Sequence, residues 1–183
     1  IDGIYFKFTT DLMVNEHVSG RFTADAFEKR GNGFGFNGNY NGGDKGNGSI
    51  YFYQLNETKR NHTNTQMNLS HNYSFAGGES LATSFIYSGD QYTGQAENQD
   101  LTVQINYRPV LSFMTMNVVA NKFYDLDGDK YTADNNYQLL NRLPEINFTL
   151  PGYTTPGVPL SLNLSGMYGR YEDGTLSDVN ESE

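Results

Sequence analysis

Cysteine and tryptophan are absent from the 183 residues, and proline is scarce at 5. Without cysteine there is no disulfide, no thiolate zinc site and no thiol nucleophile. No run of about 18 apolar residues occurs, so the chain holds no transmembrane helix. Charge is thin, at 18% of residues, where about a quarter is usual. It is also one-sided: 12 basic against 21 acidic residues leave a net charge of −9 and a pI near 4.7. Such a chain lacks the clustered Lys and Arg that neutralise phosphates, so nucleic acid is excluded as an expected partner. Ala, Leu, Glu and Lys do not dominate, which argues against a helical bundle.

What is present is aromatic and amide-rich. Tyr (14) and Phe (12) bring the aromatic share to 14%, and glycine reaches 20. Mean hydropathy is −0.61, with the polarity carried by Asn, Ser, Thr and Gln more than by charge. The aromatic content argues against disorder.

Alternation governs the pattern. Leu101, Val103, Ile105 and Tyr107 alternate with Thr102, Gln104 and Asn106. Ile146, Phe148 and Leu150 alternate with Glu145, Asn147 and Thr149. From Val158 onward, Leu160, Leu162 and Leu164 alternate with Ser161, Asn163 and Ser165; Ile4, Phe6 and Phe8 alternate with Tyr5, Lys7 and Thr9. A period of two with one greasy and one polar parity is the signature of a β-strand. The spacing predicts strands over 3–12, 16–27, 31–41, 47–56, 63–73, 79–88, 99–107, 110–123, 138–150 and 157–170. The expected fold is all-β: an antiparallel up-and-down meander of about ten long strands in one segment, 1–183, with no domain break. Ordinary strands have a mode of about five to six residues, whereas a tilted strand crossing a bilayer needs about 9–11, so length points to a membrane barrel. The odd-numbered connections are expected to stay short and the even-numbered ones to lengthen toward Tyr124–Asn136, as periplasmic turns and outer loops do. Ile1-Asp2-Gly3-Ile4 is neither an initiator Met nor a signal peptide. The chain is expected to be a piece of a larger barrel, incomplete at both ends.

Chemistry-bearing motifs are few. Asp125, Asp127 and Asp129 are weak candidates for a calcium loop. The EF-hand pattern wants Gly at the sixth place and Glu at the twelfth, where Lys130 and Asn136 stand, so a solvated acidic loop is favoured and no metal is expected. Gly31-Asn32-Gly33-Phe34-Gly35 has no helix after it and reads as a glycine strand admitting close neighbours rather than a phosphate loop. His17, His62 and His71 have no partner at metal-ligand spacing. No Ser lies in a Gly-x-Ser-x-Gly elbow. Glu145 and Glu172 could pair as glycosidase carboxylates, but the acids concentrate in expected loops. No catalytic residue and no cofactor is assigned. Tyr5, Tyr40, Tyr51, Tyr53, Tyr73, Tyr87, Tyr107, Tyr124 and Tyr168 fall near expected strand ends. This suits either the aromatic girdles of a barrel or cross-strand packing in a soluble β protein.

Several of these stretches, in order, resemble one family. Phe27-Glu28-Lys29-Arg30-Gly31-Asn32-Gly33-Phe34-Gly35 through Tyr40 is similar to its R-G-x-G-x-G … Y stretch. Gly48-Ser49-Ile50-Tyr51-Phe52-Tyr53 follows where it has a Gly-led strand rich in Tyr. His71 and the later Ile86-Tyr87-Ser88-Gly89-Asp90 look like its H … v-S-D pattern with one Gly inserted. Tyr137 to Leu150, with Asn141-Arg142-Leu143-Pro144-Glu145-Ile146, is similar to its Y … R-L-P-x-l strand entry. The family is that of the LPS-assembly outer-membrane proteins (LptD, the organic-solvent-tolerance family), and the likeness covers about 27–170. The chain has no counterpart of the disulfides of some members, of the periplasmic β-jellyroll or of the closing strands.

The resemblance implies an open, curved segment of a large transmembrane β-barrel in the bacterial outer membrane. It implies a non-enzymatic part in inserting lipopolysaccharide into the outer leaflet. The implied partners are lipopolysaccharide, outer-membrane lipid, a lipoprotein plug in the lumen and periplasmic LPS-bridge proteins. On this reading Thr102, Gln104, Asn106, Glu145, Asn147, Ser161, Asn163 and Ser165 face the lumen. Leu101, Val103, Ile105, Ile146, Phe148, Leu160, Leu162 and Leu164 face lipid. Two alternatives remain: another outer-membrane barrel, a porin or a receptor, and a soluble carbohydrate-binding β-sandwich or solenoid. The soluble reading requires the apolar faces to meet in a dry core.

Overall fold

The period-two pattern becomes backbone register. The computed structural model describes residues 3–94, 98–126, 138–154 and 161–175. They form β1 (Tyr5–Asn15), β2 (Val18–Phe27), β3 (Gly31–Asn41), β4 (Asn47–Glu57), β5 (His62–Ser74), β6 (Ser80–Tyr92), β7 (Asn98–Arg108), β8 (Thr115–Asp125), β9 (Gln138–Thr154) and β10 (Ser161–Thr175). Each strand pairs antiparallel with its sequence neighbours, in the order β1 to β10, within one ten-stranded sheet. β1 and β10 are its open edges among the described residues. One turn of 3-10 helix, Gly43–Lys45, is the single helical element described. The fold is therefore the expected all-β up-and-down meander.

Cross-strand rows sort the side chains into two faces. One row runs Phe22, Phe36, Phe52, Met67, Tyr87, Leu101, Tyr124 from β2 to β8. A row of opposite parity runs Ser19, Asn39, Ser49, Ser70, Ser84, Gln104, Asn121, Arg142 from β2 to β9. Directly opposed side chains stand close enough to bond. Ser49 and Ser70 share a hydrogen bond of 2.8 Å, and Ser84 donates to Gln104 Oε1 at 3.4 Å. The sheet is a single layer. Leu55, 7% exposed, is the one buried hydrophobic residue among those described, and its register partners Gly33 and Asn64 place it on the polar face.

Several boundaries differ from the sequence expectation, β10 among them, which runs to Thr175 rather than 170, and three have a clear physical reason. β8 begins at Thr115, not 110; Val110 makes only an isolated bridge to Thr115. Pro109 has no N–H for the ladder, and Leu111 and Phe113 fall on the wrong parity for Met116 and Val118. β6 continues through Gly89 to Tyr92, because the Tyr87 ring folds over Gly89 and fills the space that a side chain would take. β9 runs on to Thr154 with an irregularity at Arg142–Glu145 against both β8 and β10. There Pro144 cannot donate and the extra backbone bulges. The expected alternation of short and long connections is not clean either. The connections 42–46 and 75–79 are no shorter than 58–61, and only the stretch between Asp125 and Gln138 is long.

Candidate functional site: a two-faced wall and its rim cluster

Register places the candidate residues face by face. Thr102, Gln104 and Asn106 lie opposite Ile86, Ser84 and Ala82 on β6 and Phe123, Asn121 and Val119 on β8. Glu145 and Asn147 lie opposite Val119 and Asn117 on β8 and Gly169 and Met167 on β10. Ser165 pairs with Thr149, and exposed Asn163 shares its parity. These residues share the polar face. Leu101, Val103 and Ile105 lie opposite Tyr87, Phe85 and Thr83; Ile146 and Phe148 lie opposite Val118 and Met116; Leu164 pairs with Leu150. These share the apolar face, and Met116, Val118 and Ala120 of β8 join the two groups. Leu160, Asp127 and Asp129 lie outside the described residues, as do the side chains of Ser161 and Leu162. Asp125 ends β8 opposite Asp100. Among the described residues no three His, Asp or Glu side chains are placed to hold a metal ion.

The polar face carries buried carboxylates that alternation alone does not reveal. Asp25 on β2 is 6% exposed and accepts hydrogen bonds from the Tyr5 hydroxyl at 2.7 Å and the Tyr53 hydroxyl at 2.8 Å. Glu145 is 8% exposed; it accepts from Asn147 at 2.7 Å and from the Tyr171 hydroxyl at 2.8 Å, with Arg142 at 3.6 Å. Of the tyrosines that suit either a girdle or cross-strand packing, Tyr5 and Tyr53 serve the polar face through Asp25, and Tyr51 shares that face. Tyr40, Tyr73, Tyr87, Tyr107, Tyr124 and Tyr168 stand on the apolar face. Tyr40 bonds His71 Nδ1 and stacks on its ring at 5.9 Å. Tyr73, Phe75 and Tyr107 continue the belt through edge contacts of 4.6 and 6.5 Å. This belt borders the end of the sheet that holds the turns 42–46 and 75–79. Lys122, on the apolar face opposite Val103, lays its ammonium toward the other end, over the Tyr124 ring at 5.2 Å.

That other end is a rim with its own cluster. Glu57 and His62 flank the 58–61 turn, beyond Phe52 and Met67, the last apolar pair of the outer face on these two strands. Glu57 is 3% exposed. Arg30 Nε donates to it at 2.6 Å, and Arg60 stands at 3.7 Å. His62 donates through Nδ1 to Glu57 at 3.0 Å and through Nε2 to Asp90 at 2.8 Å, while its ring stacks on Tyr92 at 4.1 Å. Asn64 also donates to Asp90, at 2.8 Å. Hydrogen bonds from His62 and then Arg30 hold the Glu57 carboxyl below its ordinary range, against the opposing effect of burial. For His62, burial pushes downward, but the hydrogen bonds and charges of Glu57 and Asp90 outweigh it and raise the imidazole above its ordinary value. With both ring nitrogens engaged by carboxylates, the ring holds protons rather than offering a lone pair to a substrate. A search for short-range metal or triad spacing misses this cluster because its members come from β4, β5, β6 and the turn before β3.

No protein-family model, no curated protein and no solved structure matches the chain. The geometry of the wall therefore carries the functional reading.

Proposed function

We propose that this chain is a stretch of wall in a large outer-membrane β-barrel, with the polar face toward the lumen and the apolar face toward lipid. The observation that carries this reading is the single layer. A sheet in water hides its apolar face against a second layer; here Phe6 is 71%, Phe8 65% and Leu164 55% exposed, and the described residues form one sheet. Strand length supports the same reading. β3, β4 and β7 have 11 residues each. At about 3.4 Å per residue and a tilt of about 40°, such a strand rises about 28 Å, enough to cross the apolar band of about 25 Å of an outer-membrane barrel and end on its rim. The belt of Tyr40, His71, Tyr73, Phe75 and Tyr107 suits a headgroup boundary. Lys122 is long enough to carry its charge toward the opposite boundary.

Within this reading, the ordered likeness to the LPS-assembly outer-membrane proteins favours insertion of lipopolysaccharide into the outer leaflet over a porin or receptor role. The corresponding partners are lipopolysaccharide, a lipoprotein plug against the polar face and periplasmic bridge proteins. The soluble sandwich has no second layer to draw on among the described residues.

The absence of tryptophan gives a clean test. Single Phe85→Trp and Ser84→Trp variants place a reporter on opposite faces of β6. In vesicles of brominated phosphatidylcholine, Phe85→Trp is quenched and Ser84→Trp is spared. Equal or absent quenching at both positions overturns the wall. Depletion of the full-length protein in cells then tests the cargo: newly made lipopolysaccharide fails to reach the surface. Undiminished surface lipopolysaccharide rejects that cargo while leaving the wall intact.

A further inference from the structure

The rim cluster has the construction of a switch. We propose that His62, held between Glu57 and Asp90, is a proton-operated clasp that ties β4, β5 and β6 together at the rim and loosens when it loses its proton. The charged and titratable groups around the ring come from every neighbouring element. Arg30 reaches in from the turn before β3, Glu57 and Arg60 from β4 and its turn, and Asp90 and the stacked Tyr92 from β6. β3 and β7 oppose Glu57 and Asp90 with the uncharged Gly31 and Asn98, and Asp100 lies two paired positions further along β7, opposite Ser88.

Both contacts require N–H donors, so the closed clasp holds an imidazolium. A neutral ring has one N–H. One of the two carboxylates then faces a ring lone pair, and the corner loses a cross-strand bond. Arg30 keeps Glu57 partnered and Asn64 keeps Asp90 partnered, so the rim relaxes locally without leaving a buried carboxylate bare. The direction of each shift sets the window. His62 is raised, so its contribution is complete below the ordinary histidine value of 6.5 and is lost as pH climbs through the raised folded value. Glu57 is lowered, so its contribution is complete above the ordinary 4.5 and is lost as pH falls through the depressed folded value. The clasp is tightest between these two ordinary values. It rests on rim geometry whatever the barrel carries.

Nitrogen-15 histidine labelling of the full-length protein in micelles reports His62, assigned as the resonance lost in His62→Gln. The expected midpoint lies above 6.5, and Asp90→Asn moves it down. Amide exchange over 57–62 and 90–92, corrected for the intrinsic pH dependence, accelerates with the same midpoint. A midpoint at or below the ordinary value, no response to Asp90→Asn, or exchange that stays flat through the titration would each overturn the clasp.

Discussion

Tyr53 lies across Gly35: a Cβ on that glycine would stand 2.8 Å from Tyr53 Cδ2 and 3.1 Å from the Phe52 carbonyl oxygen. The same ring covers Gly33, and its hydroxyl ends on Asp25, two strands away. Gly35→Ala must therefore push the ring aside and take the Asp25 hydrogen bond with it. The expected cost is about 1–3 kcal/mol, the range for overpacking a filled site, read from urea unfolding in lipid. In a Tyr53→Ala background the same change is neutral or slightly favourable. An undiminished penalty there would show that backbone contact, not the ring, reserves the position for glycine.

Tyr53→Phe separates the ring from its hydroxyl. The lid over Gly33 and Gly35 remains, but Asp25 keeps only Tyr5 as a hydrogen-bond donor. Hydrogen bonds to charged groups contribute about 1.5–3 kcal/mol, so this variant unfolds at distinctly lower urea than the parent. An unchanged midpoint would mean that water replaces the hydroxyl at no cost.

Glu145 ties two strands through Asn147 on its own strand and Tyr171 on β10. Glu145→Gln takes the charge from this bond and leaves only a neutral amide oxygen to accept it, and Tyr171→Phe removes it, so their effects on stability are expected to overlap rather than add. A double-mutant cycle by thermal unfolding in detergent checks it; strict additivity would separate the two side chains in solution.

The division of faces was legible because period two is a property of strand backbone: Leu101, Val103 and Ile105 cannot leave one face without a register break. The close approach at Gly33 and Gly35 was legible in kind, since two glycines in a strand leave room for something. That Tyr53 fills the room was not, because cross-strand register is absent from local alternation. The same reason hid the clasp, whose His62, Glu57 and Asp90 meet only once three strands are aligned. The start of β8 lies at Thr115 rather than 110 because Leu111 and Phe113, though hydrophobic, stand on the parity opposite to Met116 and Val118, so hydrophobicity alone does not mark the ladder's beginning.

β1 and β10 each leave one edge of the sheet unpaired among the described residues, and their apolar side chains include Phe6 and Tyr168, 71% and 70% exposed. Long exposed edges of this kind seek further strands. The 183-residue chain expressed alone in detergent-free buffer is expected to elute as aggregate from size-exclusion chromatography. A sharp monomer peak there would contradict the wall.

Ile105 and Gln104 are neighbours in sequence and point to opposite faces of β7. Ile105 is 41% exposed, on the same face as Thr83 and Ala120 across the ladder, and Gln104 lies opposite Ser84 and Asn121. If the apolar face meets lipid, Ile105→Lys carries a cation into the hydrocarbon just inside the Tyr107 boundary and costs more than the about 0–1 kcal/mol of an interfacial charge, toward the about 2–4 kcal/mol of a midplane one. Gln104→Lys puts the same charge among amides and hydroxyls on a wetted wall and costs little. The two variants introduce the same side chain at adjacent positions of one strand, and an Ile105→Ala control accounts for the loss of the isoleucine itself. Their difference in unfolding free energy in vesicles measures the lipid contact itself. A soluble protein with this face in water would show two equal and small effects, and a sandwich with this face in a dry core would lose the fold of Ile105→Lys in detergent-free buffer as well.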